Sequence, residues 1–339
     1  MFIPKRVFFE QNALEYPLGQ ELHQRFKEEK TPVSIIASHN RVTGIPGKTP
    51  QESYREAKRT LVVGVRRTLQ FSPCKPSAHY QLPLGTSCSG QCQYCYLQTT
   101  LGKKPYVRVY VNIEEILRQA AKYITERAPG ITLFEGAATS DPLPVEPYTG
   151  SLARTVEFFG RQPLGRFRFV TKFTDVESLL NAAHNGQTRF RFSINTEHII
   201  KSYEGGTPAA TARLRAARRV ADAGYPLGFL IAPIFVYPGW QDDYSGLIGN
   251  LAEELKDYPA ENITFELISH RFTLSARKRI LEVFPDTTLP MDESERKFKF
   301  GQFGYGKYVY PKSTLQEMDE LFRWELDKHF PGAKVEYLV

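Results

Sequence analysis

Cysteine is scarce in this chain: four in 339 residues, three of them within residues 88–95. A disulfide framework spreads its cysteines along the chain, so this spacing excludes a disulfide-built secreted scaffold and points to metal. Long apolar runs are missing too. No stretch reaches the roughly 18 consecutive apolar residues of a transmembrane helix, so no membrane partner is expected. The opening MFIPKRVFFEQNALEYPLG has no apolar core followed by a small-residue cleavage site, so no secretion signal is read and a cytoplasmic location is expected. Sequence repeats and low-complexity tracts are lacking, which removes solenoids and disordered tails. What is present is a composition with 41% hydrophobic residues, enough for a packed core. Lys and Arg exceed Asp and Glu to give a net charge of +7. That permits a polyanionic partner such as nucleic acid without requiring one.

The pattern of apolar residues divides the chain into three expected parts: an N-terminal extension over 1–75, a main body over 76–290 and a C-terminal hairpin and helix over 291–339. In the extension, helices are expected near 18–29 and 51–60, with strand-like runs at 32–37 and 61–65. A strand over 81–86 runs into the cysteines. Residues 106–111 alternate apolar and polar. Asn112 then caps a helix, with Glu115 as its capping-box partner. The stripe Ile113, Ile116, Leu117, Ala120 and Ile124 gives that helix one apolar face. Apolar runs at 131–134, 167–171, 190–194, 227–233 and 263–268 then alternate with helices near 150–160, 175–184, 208–223 and 242–255. With the strand before the cysteines this makes about six β/α units, an α/β pattern of parallel strands forming an open or partial barrel. Ligands gather where the strands of such sheets end.

Residues 88–95 read CSGQCQYC. Three thiolates at this spacing can hold three irons of a 4Fe–4S cubane and leave the fourth open. The open iron can chelate the amino and carboxylate groups of S-adenosylmethionine. Four thiolates would close the cluster and leave only electron transfer. A zinc site is the other reading of the same spacing, with Cys74 or His79 as its fourth ligand.

The sequence beyond these cysteines resembles the spore photoproduct lyase family of the radical S-adenosylmethionine superfamily. The blocks that carry the resemblance are CQYCYLQTTLGKKPYVRVYVN, FEGAATSD, RFVTKF, RFRFSIN, AGYPLGFLIAPI, TFELISHRFT and GYGKYVY, in order from about residue 60 to 310. RVTGIPGKT and TLVVGVRRTL extend it toward the N-terminus. The resemblance implies a partial (β/α)6 radical-SAM barrel with an N-terminal α/β extension and a C-terminal β-hairpin and helix. It implies a 4Fe–4S cluster on Cys88, Cys92 and Cys95, with S-adenosylmethionine as cofactor and flavodoxin or ferredoxin as an electron donor. The implied reaction is cleavage of 5-thyminyl-5,6-dihydrothymine in DNA to two thymines, started by a 5′-deoxyadenosyl radical. Tyr94 and Tyr96 are implied near the cofactor and in hydrogen relay, against plain packing around the cluster. Tyr96, Ser140, Lys172, Ser193 and Ala232 match positions that contact S-adenosylmethionine. Arg296, Lys297, Lys299, Gln302, Phe303 and Lys307 fall on the hairpin expected to contact DNA, with aromatic side chains as a wedge.

This chain also departs from the family pattern. Ala138 stands where the family has the cysteine that returns a hydrogen atom to the product thymine radical, and a methyl group cannot do that. The hairpin has Gln302-Phe303 where the family has Arg-Tyr. DPLPVEPYTG and IFVYPGW differ as well. These differences fall where the lesion binds and point to a diverged homologue. Cys74 is either a plain loop thiol or a substitute hydrogen donor. Two further readings stay open: a radical enzyme acting on another substrate, and a non-catalytic iron–sulfur or zinc protein that binds nucleic acid.

Overall fold

The computed structural model describes residues 2–300 and 306–339; Gln302 and Phe303 lie outside them. Within them, eight strands form one sheet whose neighbours are all parallel except at one edge. Its spatial order runs from Lys334–Leu338 through Ile263–Ser269, Leu227–Ile234, Thr188–Ile194, Gly165–Thr171 and Thr132–Glu135 to Ala78–Gln81 and Pro73–Cys74. The two ends do not pair with each other, so the sheet is a curled half-barrel.

The alternation RFRF explains how this sheet is buried on both faces. Phe167, Phe169, Phe190 and Phe192 are fully buried in the large apolar cluster, where the helices Ser151–Gly160 and Ala210–Asp222 also pack. Their period-2 neighbours Arg168 and Arg191 point to the other face. There Arg191 bonds both Glu135 and Glu266, with 2.6 Å from Nη1 to Glu266 Oε1. Arg168 reaches the same two carboxylates at 3.3 and 3.4 Å. Each charge is paired, as burial requires.

The N-terminal extension builds a second sheet of five strands, in which Arg6–Glu10, Val33–Ile36 and Thr60–Gly64 are joined by Val107–Tyr110 and Gly85–Thr86. The boundaries expected at 75 and 290 therefore do not follow sheet membership. Residues 85–86 and 107–110 pair with the extension, and the C-terminal strand Lys334–Leu338 joins the half-barrel. Pairing across such distances leaves no trace in local periodicity.

The helix Ile113–Glu126 buries its expected stripe, but the capping box does not form. Asn112 bonds Glu115 Oε2 at 2.8 Å and spends its other bonds on the backbone N–H and C=O of Arg66, tying the helix to the extension. The complete capping box lies elsewhere, between Thr49 and Glu52 at the start of Pro50–Lys58.

Candidate active site

The cysteine loop follows Gly85–Thr86, an edge strand of the extension sheet. Ser87 holds a positive φ of 65°, a conformation that costs a non-glycine residue about 1 kcal/mol. Its hydroxyl donates to the Pro105 carbonyl at 2.8 Å, and that bond and the Lys58 ammonium at 3.2 Å offset the cost. Cys88 follows directly. Gln91–Cys92 pairs antiparallel with Glu204–Gly205, Cys95 N–H donates to the Cys92 carbonyl at 3.2 Å, and Gln98 Nε2 donates to the same carbonyl at 3.0 Å. Gly90 is a close approach: a Cβ there would lie 3.6 Å from Cys88 Sγ and 3.2 Å from Thr207. A side chain at that position would fill the space over the thiols.

Among the described residues no three His, Cys, Asp or Glu side chains converge to hold a single metal ion, as a zinc site needs. His79 Nδ1 accepts from Leu133 N–H at 2.9 Å, so neither of the proposed fourth zinc ligands joins such a group. Three thiols on one loop, each free to take its own corner, match the demand of a cubane.

Facing the loop is a clamp the sequence reading missed. Glu204 is fully buried. Lys172 Nζ donates to its Oε1 at 2.7 Å and Arg213 Nη2 to its Oε2 at 2.6 Å. Burial raises the carboxyl's pKa, but the two cations outweigh it and hold the group at about 2. Tyr94 also donates to Glu204 and accepts from Lys172 at 3.0 Å, so its hydroxyl belongs to this clamp rather than to a free relay. Lys172 keeps one of its three ammonium protons for a ligand. Asp141 is a second missed residue. Its carboxylate accepts from Thr171 Oγ1 and Lys172 N–H, both at 3.0 Å, and from Leu143 N–H. Burial pushes its pKa up to about 6 despite those bonds.

Two of the other expected cofactor residues adjoin these groups: the Ser193 carbonyl accepts from Arg213 at 3.0 Å, and Ser140 directly precedes Asp141. Ser193 is buried near the end of its strand, and Ala232 sits near the end of the next. Ser140 pairs with Ser87 through an isolated bridge, and its Oγ is buried without any partner. A buried hydroxyl left unpaired costs about 1–3 kcal/mol, so a polar ligand at that atom resolves the deficit. These residues fit a bound S-adenosylmethionine.

Above the mouth lies a cleft of about 1070 Å³, lined by Tyr94, Tyr96, Lys75, His270, Phe298 and Lys307 among others. Tyr96 is 60% exposed and donates its hydroxyl to the Ala138 carbonyl. The hairpin wall is formed by Lys297–Phe300 paired antiparallel with Gly306–Val309. Phe298 and Phe300 stand 53% and 75% exposed beside Lys297 and Lys299. Arg296 corrects the reading from sequence. It is buried, donates to the carbonyls of His270 and Pro290 at 2.9 Å, and lies 3.5 Å from the Tyr310 ring centroid. It anchors the hairpin base and reaches no solvent phosphate.

A parallel half-barrel that carries three cysteines on one loop at its mouth is the arrangement of the radical S-adenosylmethionine enzymes. The family model described as "Spore photoproduct lyase" matches residues 2–339. The chain is 52% identical to spore photoproduct lyase of Geobacillus sp. (strain Y412MC61) over 338 residues, covering 100% of this chain and 99% of the relative. It is 50% identical to the Bacillus subtilis (strain 168) lyase over 338 residues, with the same coverage. A solved spore photoproduct lyase double mutant with bound AdoMet and dinucleoside spore photoproduct superposes with a TM-score of 0.97 at 52% identity, covering 100% of this chain and 99% of that one. The chain belongs to the spore photoproduct lyase family.

Proposed function

We propose that this chain is a lesion-repairing radical enzyme whose returning hydrogen atom comes from Cys74. As a family member it is a radical S-adenosylmethionine lyase that cleaves 5-thyminyl-5,6-dihydrothymine in DNA to two thymines. Its cofactors are a 4Fe–4S cluster and S-adenosylmethionine. One observation carries the reading: a single mouth joins the three-cysteine loop, the Lys172–Glu204–Arg213 clamp and the cleft under the hairpin.

Cys88, Cys92 and Cys95 hold the cluster. Lys172, Ser140, Ser193, Ala232 and Tyr96 hold S-adenosylmethionine. When bound and reduced, the two cofactors supply a 5′-deoxyadenosyl radical that takes the C6 hydrogen of the lesion. After the bridging carbon–carbon bond breaks, one thymine carries an unpaired electron on its methyl carbon. The Cys74 S–H bond then breaks, its hydrogen atom completes that methyl group, and a thiyl radical stays on the protein.

Four observations support Cys74. It lies on the edge strand Pro73–Cys74, two strands from Thr132–Glu135, which leads into Ala138. Its chain neighbours Lys75 and Pro76 line the cleft. Burial first, then the charge of Glu135, pushes the thiol up to about 11, so it stays protonated at neutral pH. A hydrogen-atom donor must keep that proton, unlike a nucleophilic cysteine. Finally, the solved double mutant exchanges a cysteine for alanine and a serine for cysteine, and its two positions are as far apart in sequence as Ala138 and Cys74 are here. Tyr96 lines the same cleft as Lys75 and Pro76, the chain neighbours of Cys74, which makes Tyr96 the hydrogen relay between the donor and the cofactor groove.

The hairpin contacts DNA through Lys297, Lys299 and Lys307, and Phe298 and Phe300 support the gap left by the extruded lesion. A flavodoxin or ferredoxin delivers the electron. Action on DNA fits a cytoplasmic location. No described helix is long and apolar enough to cross a membrane.

The test uses anaerobically reconstituted protein, dithionite, S-adenosylmethionine and lesion-bearing DNA, with 5′-deoxyadenosine and thymine quantified by mass spectrometry. Restored thymine is the expected result. Deoxyadenosine formed while the lesion stays intact would assign the radical chemistry to another substrate.

A further inference from the structure

One helix of the N-terminal extension, Pro50–Lys58, reaches the cysteine loop. This helix packs on Leu274–Val283, and Tyr54 stands edge-on to Phe284 with ring centroids 5.4 Å apart. Lys58 ends the helix, is 2% exposed, and donates its ammonium to the Cys88 carbonyl at 2.9 Å and to Ser87 Oγ at 3.2 Å. The ammonium also lies 5.5 Å from the Tyr54 ring centroid. The helix is thereby fastened to the first cluster cysteine.

Tyr54 itself is 1% exposed, and its hydroxyl has no hydrogen-bond partner. Buried tyrosine hydroxyls nearly always find one. After burial, the groups that raise its pKa are Cys95, Cys92 and Cys88, in that order. The unpaired phenol ring thus sits beside the Lys58 ammonium that holds the Cys88 carbonyl, where the extension meets the cluster loop.

We propose that Tyr54 donates a hydrogen bond to a sulfur of the 4Fe–4S cluster and thereby sets the cluster's reduction potential. This rests on the cluster assignment to Cys88, Cys92 and Cys95. Reduction adds one negative charge to the cluster, and a donor aimed at its sulfurs stabilises that charge and raises the potential. The dry surroundings strengthen the effect. The extension, not the half-barrel, then controls how readily the cluster accepts an electron. Tyr54 is a positioning and tuning residue here, since it touches no substrate.

The experiment compares the full-length chain with its Tyr54→Phe variant, which removes one oxygen and keeps the ring. Both are reconstituted anaerobically, assayed for iron and sulfide, and titrated with the reduced cluster read by electron paramagnetic resonance. Equal iron contents are expected. At the potential where the natural chain is half reduced, the variant's reduced-to-oxidised ratio falls about tenfold, equivalent to about 59 mV for a one-electron couple. Iron–sulfur stretching bands of the natural chain shift between H2O and D2O, and those of the variant shift less. Equal ratios in the two proteins overturn the proposal. If the variant holds less iron, the natural chain's isotope shift decides: its absence overturns the proposal and its presence supports it. A natural chain that takes up no iron overturns the cluster assignment as well, which separates the two failures.

Discussion

The floor and the wall of the mouth are built on opposite terms. On the floor, Glu204, Arg213 and Asp141 are buried, Lys172 and Tyr94 are half-buried, and all five are already bonded to one another. On the wall, Phe298, Phe300 and Tyr96 are exposed, and Lys297 and Lys299 stand beside them. A paired, desolvated floor is preorganised for a constant cofactor. An exposed wall leaves binding energy for the substrate to realise. Of the departures from the family pattern, Ala138 falls at the rim, where its carbonyl accepts from Tyr96, while the floor keeps the matching residues; Gln302 and Phe303 lie outside the described residues.

The comparison breaks most completely at the floor. Cys92→Ala removes a buried cluster ligand, and we expect loss of the 4Fe–4S absorption and iron content, with 5′-deoxyadenosine formation abolished. At the boundary, Cys74→Ser keeps size and polarity but strengthens the bond to hydrogen. Deoxyadenosine formation continues while thymine recovery falls about a hundredfold, about 2.7 kcal/mol, with radical-derived adducts in its place by mass spectrometry.

Behind the wall His270 lies buried beside Arg296. Burial first, then Arg296, lowers the His270 pKa to about 3 from 6.5. Below pH 6.5 the unfolded chain takes up a proton that the folded chain refuses, so stability falls as pH drops from 6.5 toward 3. The slope from this residue is up to about 1.4 kcal/mol per pH unit. Urea unfolding of His270→Gln at pH 6.5 and 5 should show a smaller loss than the natural chain. The smallest effect belongs to the exposed charges. Replacing Lys297, Lys299 and Lys307 by Gln should lower the salt dependence of DNA binding by about one unit of slope for each phosphate left without its cation. Turnover of a dinucleoside lesion stays unchanged.

How much of this could be read from residues depends on range. The RFRF alternation announces two-faced burial, and CSGQCQYC places the thiols on one loop, because both signals are local. The five half-barrel strands from Thr132–Glu135 to Ile263–Ser269 followed from periodicity for the same reason, whereas the expected strand over 81–86 did not, because residues 85–86 pair with 108–109 in the extension sheet. Asn112 misled because the side chain that could cap its helix instead bonds Arg66, far away in sequence. Glu204 and Arg213 carry no local mark; only the pairing of 204–205 with 91–92 brings them to the cysteines. Arg296 reads as one more cation in a basic hairpin until packing places its guanidinium on the Tyr310 ring. Tyr54 could not have been found, since its meaning lies in a missing partner.

The most direct test of the account is the mass of the repaired thymine when the reaction runs in D2O on the dinucleoside lesion. The Cys74 thiol exchanges its hydrogen with solvent, so the natural chain should place one deuterium in a thymine methyl group, and Cys74→Ser should not. Unlabelled thymine, or the same labelling in both proteins, would contradict Cys74 as the donor.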